Sequence, residues 1–212
     1  MDASFNVLVS QKHNELKRMF TCPNKMRWLR MQLDYVEKEA RLAAALRKKV
    51  MSEKVAHLRS LDQPKQKSAE WYKMRDNMLT ASSDICNIIG KSEYGGTQKA
   101  VVLKKCGLGK PFKGNVYTQH GVKYEDIAIQ IYESRQKTLV HELGLLTHPT
   151  IPHLGASPDG ITAEGRLLEI KVPYTRMLTG NIKIGYFVQV QTQMEVCDID
   201  VCDFFECKIA EY

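Results

Sequence analysis

Two acidic residues and a lysine stand out in the stretch GASPDGITAEGRLLEIKVP. The segment RLLEIKV is typical of a strand, and because side chains alternate along a strand, Glu169 and Lys171 share one face. The preceding strand-like segment carries Asp159 and connects to RLLEIKV through AEGR. A three-residue turn centred on Glu164 pairs Asp159 with Glu169, whereas one centred on Gly165 pairs Asp159 with Lys171. Either register places all three charges on one face of the sheet, whereas a two-residue turn would split them between the two faces.

These charges have two interpretations. One is a surface salt bridge between Lys171 and a carboxylate, although such a pair adds only about 0–1 kcal/mol to stability. The other is a site for a hard cation such as Mg²⁺, which binds carboxylate oxygens and keeps part of its water. A lysine two residues after the second carboxylate can then orient or help to deprotonate that water.

A third carboxylate, Glu125, favours the metal interpretation. It lies on a predicted helix at the border of the apolar stripe, so that its side chain is expected to face the sheet. Burying this acid without a partner would be costly, and a metal ion would neutralise it.

Helical and strand-like segments together predict the scaffold of this site. Apolar residues at steps of three and four predict a helix from Asn24 to Arg59, and LDQPKQKS (61–68) predicts a linker. Five further helices are predicted. The first is short and capped by Ser68, and the second is capped by TASS and ends at Gly90. The others run from Thr97 to Cys106, from Val116 to Ser134 and through GYFVQVQTQMEVC. Strands are predicted in TLVHELGLLTHP, LGASPDGIT, RLLEIKV and DVCDFFECKI. This order predicts an α/β (α+β) fold with a mixed sheet.

Charge and hydropathy narrow the class of protein. The 212 residues carry a formal net charge of +7, and residues 38–59 hold seven Lys and Arg side chains against two Glu. This segment is either a solvated helix face or a stripe that faces phosphates. No apolar run approaches the roughly 18 residues of a membrane span, and the N-terminal residues lack the features of a signal peptide. We therefore expect an intracellular, cytoplasmic protein without a membrane partner.

The hairpin residues also resemble a known superfamily. SPDG…LEIKVP resembles the Asp–spacer–Glu-x-Lys core of the PD-(D/E)xK nucleases. The segments SAEWYKMRDNMLTASS, GVKYEDIAIQIYE and YFVQVQTQM resemble, in the same order, those of the lambda exonuclease and YqaJ-like viral recombinase family. The resemblance implies a restriction-endonuclease-like core, with a mixed central sheet flanked by helices, in residues 64–212. Residues 1–63 are predicted to form an N-terminal helical extension with its linker, and the nuclease domain is expected to be truncated at its C-terminal end.

The resemblance assigns catalytic and metal-binding roles to individual residues. It implies that Glu125, Asp159, Glu169 and the carbonyl of Ile170 hold the divalent metal. Lys171 is expected to act on the attacking water. The resemblance also places Gln189 and Tyr186 beside the scissile bond.

A second set of residues is implied to bind a terminal 5′-phosphate. Arg75, with the hydroxyls of Thr80 and Ser82, matches the family's phosphate pocket, and Ser157 matches a serine beside the catalytic aspartate. Arg is a fork-shaped donor for phosphate oxygens, and a helix that starts at TASS would offer free N–H groups to an anion.

The expected function is that of a Mg²⁺-dependent DNA exonuclease, with Mn²⁺ able to substitute. By resemblance it degrades linear duplex DNA from 5′ to 3′, prefers a 5′-phosphate and acts in viral or phage recombination and repair. The expected partners are double-stranded DNA ends, a single-strand annealing protein and further copies of the chain, in the host cytoplasm or a viral factory. The alternatives are a DNA-binding or partner-docking module and an endonuclease of the same superfamily. The presence of Asp159, Glu169 and Lys171 together favours an enzyme.

Overall fold

The structure is a computed structural model that describes residues 10–15, 23–92, 96–109 and 114–210. Contacts divide the chain into two compact units, Met1–Glu53 and Lys54–Tyr212. The predicted domain boundary after residue 63 stays a prediction. The segments behind the expectations about a signal peptide and a truncated end include residues 1–9 and 211–212, which lie outside the described residues, and both expectations stay predictions.

The helices lie close to where the sequence predicts them. They are α1 Pro23–Ser60, α2 Ala69–Asp76, α3 Ile85–Ile88, α4 Gln98–Lys105, α5 Val116–Gln136 and α6 Ile184–Cys197. Ser68 caps α2, because its side chain accepts a hydrogen bond from the Trp71 backbone N–H at 3.1 Å. Asn115 and Thr118 form a reciprocal capping box at the start of α5. Among the described residues, no helix is both long and apolar enough to cross a membrane.

The first unit contains most of α1. Its basic side chains face solvent, and exposed pairs join Glu37 to Arg41 and Lys49 to Glu53 along the helix. Large apolar side chains are exposed there too, including Trp28 and Met31.

The second unit is built on a mixed sheet of four strands, in the order β1-β4-β5-β6. The strands are β1 Val140–His141, β4 Gly160–Thr162, β5 Leu167–Lys171 and β6 Cys202–Glu206, and a separate pair consists of β2 Leu146–Thr147 and β3 Gly155–Ala156. The β1–β4 and β4–β5 pairs are antiparallel, whereas β5 and β6 are parallel. Helix α6 makes the crossover between β5 and β6, as a parallel pair requires. The predicted mixed α/β fold is confirmed.

The hairpin between β4 and β5 adopts the first of the two predicted registers. Gly160 pairs with Leu168, and Ile161 pairs with Leu167, so that residue 159 lies opposite residue 169. The turn is centred on Glu164, and Gly165 adopts a positive φ of 80°. The alternative register, centred on Gly165, is wrong.

Strand β5 is buried on both faces. Leu168 and Ile170 pack against Tyr124 and Ala128 of α5 on one face. On the other face Leu167 is completely buried, and Glu169 is 1% exposed. The interpretation of the Lys171–carboxylate pair as a surface salt bridge is therefore wrong.

The predicted helix start at TASS is also wrong. Helix α3 begins at Ile85, and the capping residue Asp84 makes no side-chain cap hydrogen bond. Thr80 instead forms a β-bridge with Leu154, and its carbonyl accepts from the Gly155 N–H at 3.0 Å. Thr80 is therefore paired with the β3 region, and the helix begins five residues later.

Candidate active site

Glu169 is the centre of a buried polar cluster. Its Oε1 accepts a hydrogen bond from Gln189 Nε2 at 2.8 Å and forms an ion pair with Lys171 Nζ. Its Oε2 accepts from Gln193 Nε2 at 2.7 Å. The alternation of β5 points Glu169 and Lys171 towards α6, which supplies both glutamines. These contacts fix the carboxylate in one orientation.

Asp159 lies at the start of the hairpin and bonds to the backbone of β5. Its Oδ2 accepts from the Ile170 N–H at 2.6 Å, and its own N–H donates to the Leu168 carbonyl at 3.0 Å. The N–H and C=O of a strand residue point to the same side of the strand. The Ile170 carbonyl therefore lies on the side of β5 that Asp159 occupies.

The carboxylates repel one another in a poorly solvated site. Burial raises the pKa of Asp159 well above its ordinary value, and the charges of Glu169 and Glu125 raise it further, against opposing effects of Lys171 and the Ile170 N–H. Burial by itself lowers the pKa of Lys171, but Glu169 and Asp159 outweigh it and raise the pKa overall. Lys171 is therefore protonated at neutral pH.

Glu125 reaches this region from α5. Its Oε1 forms an ion pair with Lys67 Nζ at 3.1 Å, and its side chain is partly buried. The third predicted acid thus lies close enough to Asp159 to affect its pKa.

The donor set fits a hard cation by its chemistry. Asp159, Glu169, Glu125 and the Ile170 carbonyl offer only oxygen, the ligand type that Mg²⁺ binds. Two of these carboxylates bond to lysines, and no three His, Cys, Asp or Glu side chains among the described residues converge on a common metal position. Burial and the neighbouring carboxylates both raise the pKa of Asp159, and a cation would offset the part that comes from repulsion.

Tyr186 lies beside Lys171. The Lys171 Nζ is 5.1 Å from the centroid of the Tyr186 ring, and the Tyr186 and Phe204 rings are 5.6 Å apart. Arg176, which pairs with Glu206, is 5.9 Å from the same ring. Tyr186 thus belongs to the wall of the site next to the lysine.

The predicted phosphate-binding residues do not all meet. The Arg75 guanidinium lies 4.2 Å from the centroid of the Trp71 ring and donates to Ser83 Oγ at 3.0 Å. Trp71 Nε1 donates to Ser157 Oγ at 3.0 Å, which connects Arg75 to the serine two residues before Asp159.

Thr80 and Ser82 are each only 1% exposed. The Thr80 Oγ1 has no hydrogen-bond partner among the described residues. Ser82 adopts a positive φ of 72°. Ser83, not Ser82, contacts Arg75.

Residues 70–200 match the family model of the YqaJ-like viral recombinase domain. The chain belongs to this family. The predicted resemblance is thereby confirmed, and the matched range contains all of the predicted site residues.

Two proteins, one of them with two solved structures, are similar to this chain. "Uncharacterized protein R354" of Acanthamoeba polyphaga mimivirus is 33% identical over 228 aligned residues, which cover 99% of this chain but 37% of that protein. The chain thus spans little more than a third of that curated relative. The crystal structure of an alkaline exonuclease (LHK-Exo) from Laribacter hongkongensis has a TM-score of 0.57 and 30% identity, covering 66% of this chain and 74% of that chain. The same exonuclease in complex with dAMP has a TM-score of 0.56 and 29% identity, covering 66% and 73%.

Two residues of the YqaJ-like site were not among the predicted ones. Gln193 is completely buried and donates to Glu169. It follows Gln189 by four residues on the same helix face, and this spacing could have indicated that both glutamines contact the site. Gln66 Nε2 donates to the carbonyls of Leu143 and Pro158, both at 2.8 Å, and so holds the segment that leads into Asp159. Gln66 falls in the predicted linker, where no periodicity could reveal this contact.

Proposed function

We propose that this chain is the catalytic part of a metal-dependent DNA exonuclease that acts in recombination. The observation that carries the proposal is the buried Glu169 carboxylate, bonded to Lys171, Gln189 and Gln193, with Asp159 across the hairpin. Membership of the YqaJ-like family and similarity to an alkaline exonuclease support it.

Glu125, Asp159, Glu169 and the Ile170 carbonyl would hold the metal, for which we propose Mg²⁺, with Mn²⁺ as a substitute. A divalent metal of this kind activates the attacking water and stabilises negative charge on the phosphate. Gln189 and Gln193 keep Glu169 oriented. Tyr186 forms the adjacent wall, where the scissile phosphate would lie.

Lys171 acts first as a positive charge. Its raised pKa keeps it protonated, so that it donates to Glu169 and attracts the phosphate. A metal ion held by Glu169 and Asp159 would neutralise their charges and so weaken the interactions that raise the Lys171 pKa, while burial would continue to lower this pKa. Lys171 could then exchange a proton with the attacking water.

We propose attack from 5′ to 3′, starting at a 5′-phosphate held near Arg75. Arg75 packs on Trp71, and Trp71 donates a hydrogen bond to Ser157 in the segment that carries Asp159. These contacts support the proposal that the terminal phosphate is bound close to the cleaved bond. The dAMP complex of the similar exonuclease supports release of nucleoside monophosphates. A single-strand annealing protein and a homo-oligomer stay predictions.

The test compares linear and circular duplex DNA. The purified chain with Mg²⁺, with Mn²⁺ or with EDTA is incubated with end-labelled linear duplex and with closed circular plasmid. We expect mononucleotides from the linear DNA only, in the presence of metal, and none from Asp159→Asn. Cleavage of the circle would identify an endonuclease, and binding without hydrolysis under all conditions would identify a docking module.

A further inference from the structure

A cleft of about 490 Å³ lies in the second unit. It is lined by the first turns of α5 and by the segments that follow β5 and β6, including His120, Lys123, Tyr174 and Lys208. The described residues that line it include no carboxylate. This cleft has no role in the proposed cleavage chemistry.

The rings of His120 and Tyr174 line the cleft, and two further tyrosine rings pack against them. The His120 ring lies 4.7 Å from Tyr124 and 5.0 Å from Tyr174, measured between centroids. Tyr117 packs edge-on against Tyr174 at 6.2 Å. Tyr174 and Tyr117 are 47% and 57% exposed, so that their rings offer apolar surface to a ligand.

His120 itself has an unmet hydrogen bond. The residue is 7% exposed, and its Nε2 has no partner among the described residues. An unpaired buried polar atom is unfavourable, and a ligand with donors and acceptors would supply the missing partner.

We infer that this cleft binds unpaired nucleotides of single-stranded DNA, namely the strand separated from the one being cleaved. Stacking on aromatic rings combined with basic side chains is the usual way in which proteins hold single strands. Lys123 and Lys208, which both line the cleft, supply positive charge. The inference rests on the proposed function, because it assumes that a duplex end is opened at this site.

The cleft is at a suitable distance from the cleavage residues. Tyr174 follows Lys171 by three residues, which span at most about 11 Å. His120 precedes Glu125 by five residues, or about 7.5 Å along the α5 axis. At about 3.4 Å per stacked nucleotide, a strand opened at the active site would reach the tyrosines within about three nucleotides.

The test measures binding without hydrolysis. Fluorescence anisotropy of a labelled dT12 oligonucleotide, in EDTA and low salt, gives the Kd of wild type, Tyr174→Ala and Tyr174→Phe. We expect the alanine variant to bind about fivefold to a hundredfold more weakly, because one stacked base is lost. The phenylalanine variant retains the ring and should bind within twofold of wild type. Circular dichroism and Tm verify that both variants are folded.

The lysine is tested by salt dependence. Lys208→Gln should lower the slope of log Kd against log salt by about 0.7, the value for one phosphate contact of a single strand. The matched control is Lys137→Gln, because Lys137 is an exposed lysine at the other end of α5. This control should leave the slope unchanged.

Three results would overturn the inference. They are the absence of dT12 binding by wild type, binding by Tyr174→Ala within twofold of wild type, and Tyr174-dependent binding of dTMP as tight as that of dT12. The last result would make the cleft a product site. If wild type degrades linear duplex while any of these holds, only this inference fails; if wild type degrades no DNA, the proposed function fails as well.

Discussion

Replacing Lys171 with methionine would leave the Glu169 carboxylate buried without its countercharge. Methionine matches the length of the lysine stem, so that packing against Tyr186 is largely kept and the charge is the main change. Glu169 is 1% exposed and the Lys171 side chain 23% exposed, so water can do little to replace the lost partner. Gln189 and Gln193 still donate to the carboxylate but carry no charge.

The expected loss follows from this burial. Removing one partner of a buried ion pair typically costs about 3–5 kcal/mol. For a domain of this size, each kcal/mol shifts Tm by about 2–4 °C, so that we expect Tm to fall by about 6–20 °C. Hydrolysis should be lost as well, because Lys171 is assigned to the attacking water.

Urea denaturation of metal-free protein, followed by circular dichroism, measures the free energy of unfolding. The matched control is Lys65→Met, which breaks the Lys65–Glu142 contact at 3.9 Å between side chains 77% and 58% exposed. Exposed pairs contribute only about 0–1 kcal/mol, so this control should unfold nearly as wild type does. The double variant Glu169→Gln with Lys171→Met removes both charges and should recover most of the stability. Equal unfolding of Lys171→Met and Lys65→Met would refute the reasoning.

Three further changes test other parts of the chain. Asp159→Asn should abolish hydrolysis and raise the Tm of metal-free protein. The raised pKa of Asp159 means that its charged form is disfavoured in the folded state, so this gain in Tm should grow as the pH rises above about 4, and a gain independent of pH would contradict the reasoning. Arg75→Ala should slow cleavage of a 5′-phosphorylated end about tenfold or more, because a hydrogen bond to a charged group contributes about 1.5–3 kcal/mol, and should affect a 5′-hydroxyl end much less. Initial rates of both proteins on both ends measure this difference. Equal wild-type rates on the two ends would show that Arg75 does not recognise the phosphate. Changing Arg47, Lys48 and Lys49 to Glu should weaken duplex binding and lower the log–log salt slope by about 0.9 for each lost phosphate contact, whereas an unchanged slope would make that segment a solvated helix face.

The elements around the site could be predicted because their signals are local. Capping by Ser68 and Thr97 and the apolar periodicity of α5 each depend on residues within one or two turns. The order of the strands and the crossover helix follows from the same local patterns. The predicted fold class rests on these elements.

The burial of the site could not be predicted, because it depends on segments far apart in the chain. Alternation placed Glu169 and Lys171 on one face of β5, but only the packing of α6 against that face buries them. The buried state of Thr80 depends likewise on its bridge to Leu154, 74 residues later. The sequence TASS has good capping residues, and the bridge overrides that local preference.

The buried charges themselves argue for function. Folding alone would favour apolar side chains at these positions, because replacing a buried ion pair by well-packed apolar residues is often neutral or stabilising. Here the site holds Asp159 close to Glu169 and Glu125. Burial raises the pKa of Asp159, and repulsion by these two carboxylates raises it further. Salt bridges that only stabilise a fold do not need this excess of negative charge. An excess of oxygen ligands at the end of a rigid hairpin is instead what binding of a cation requires.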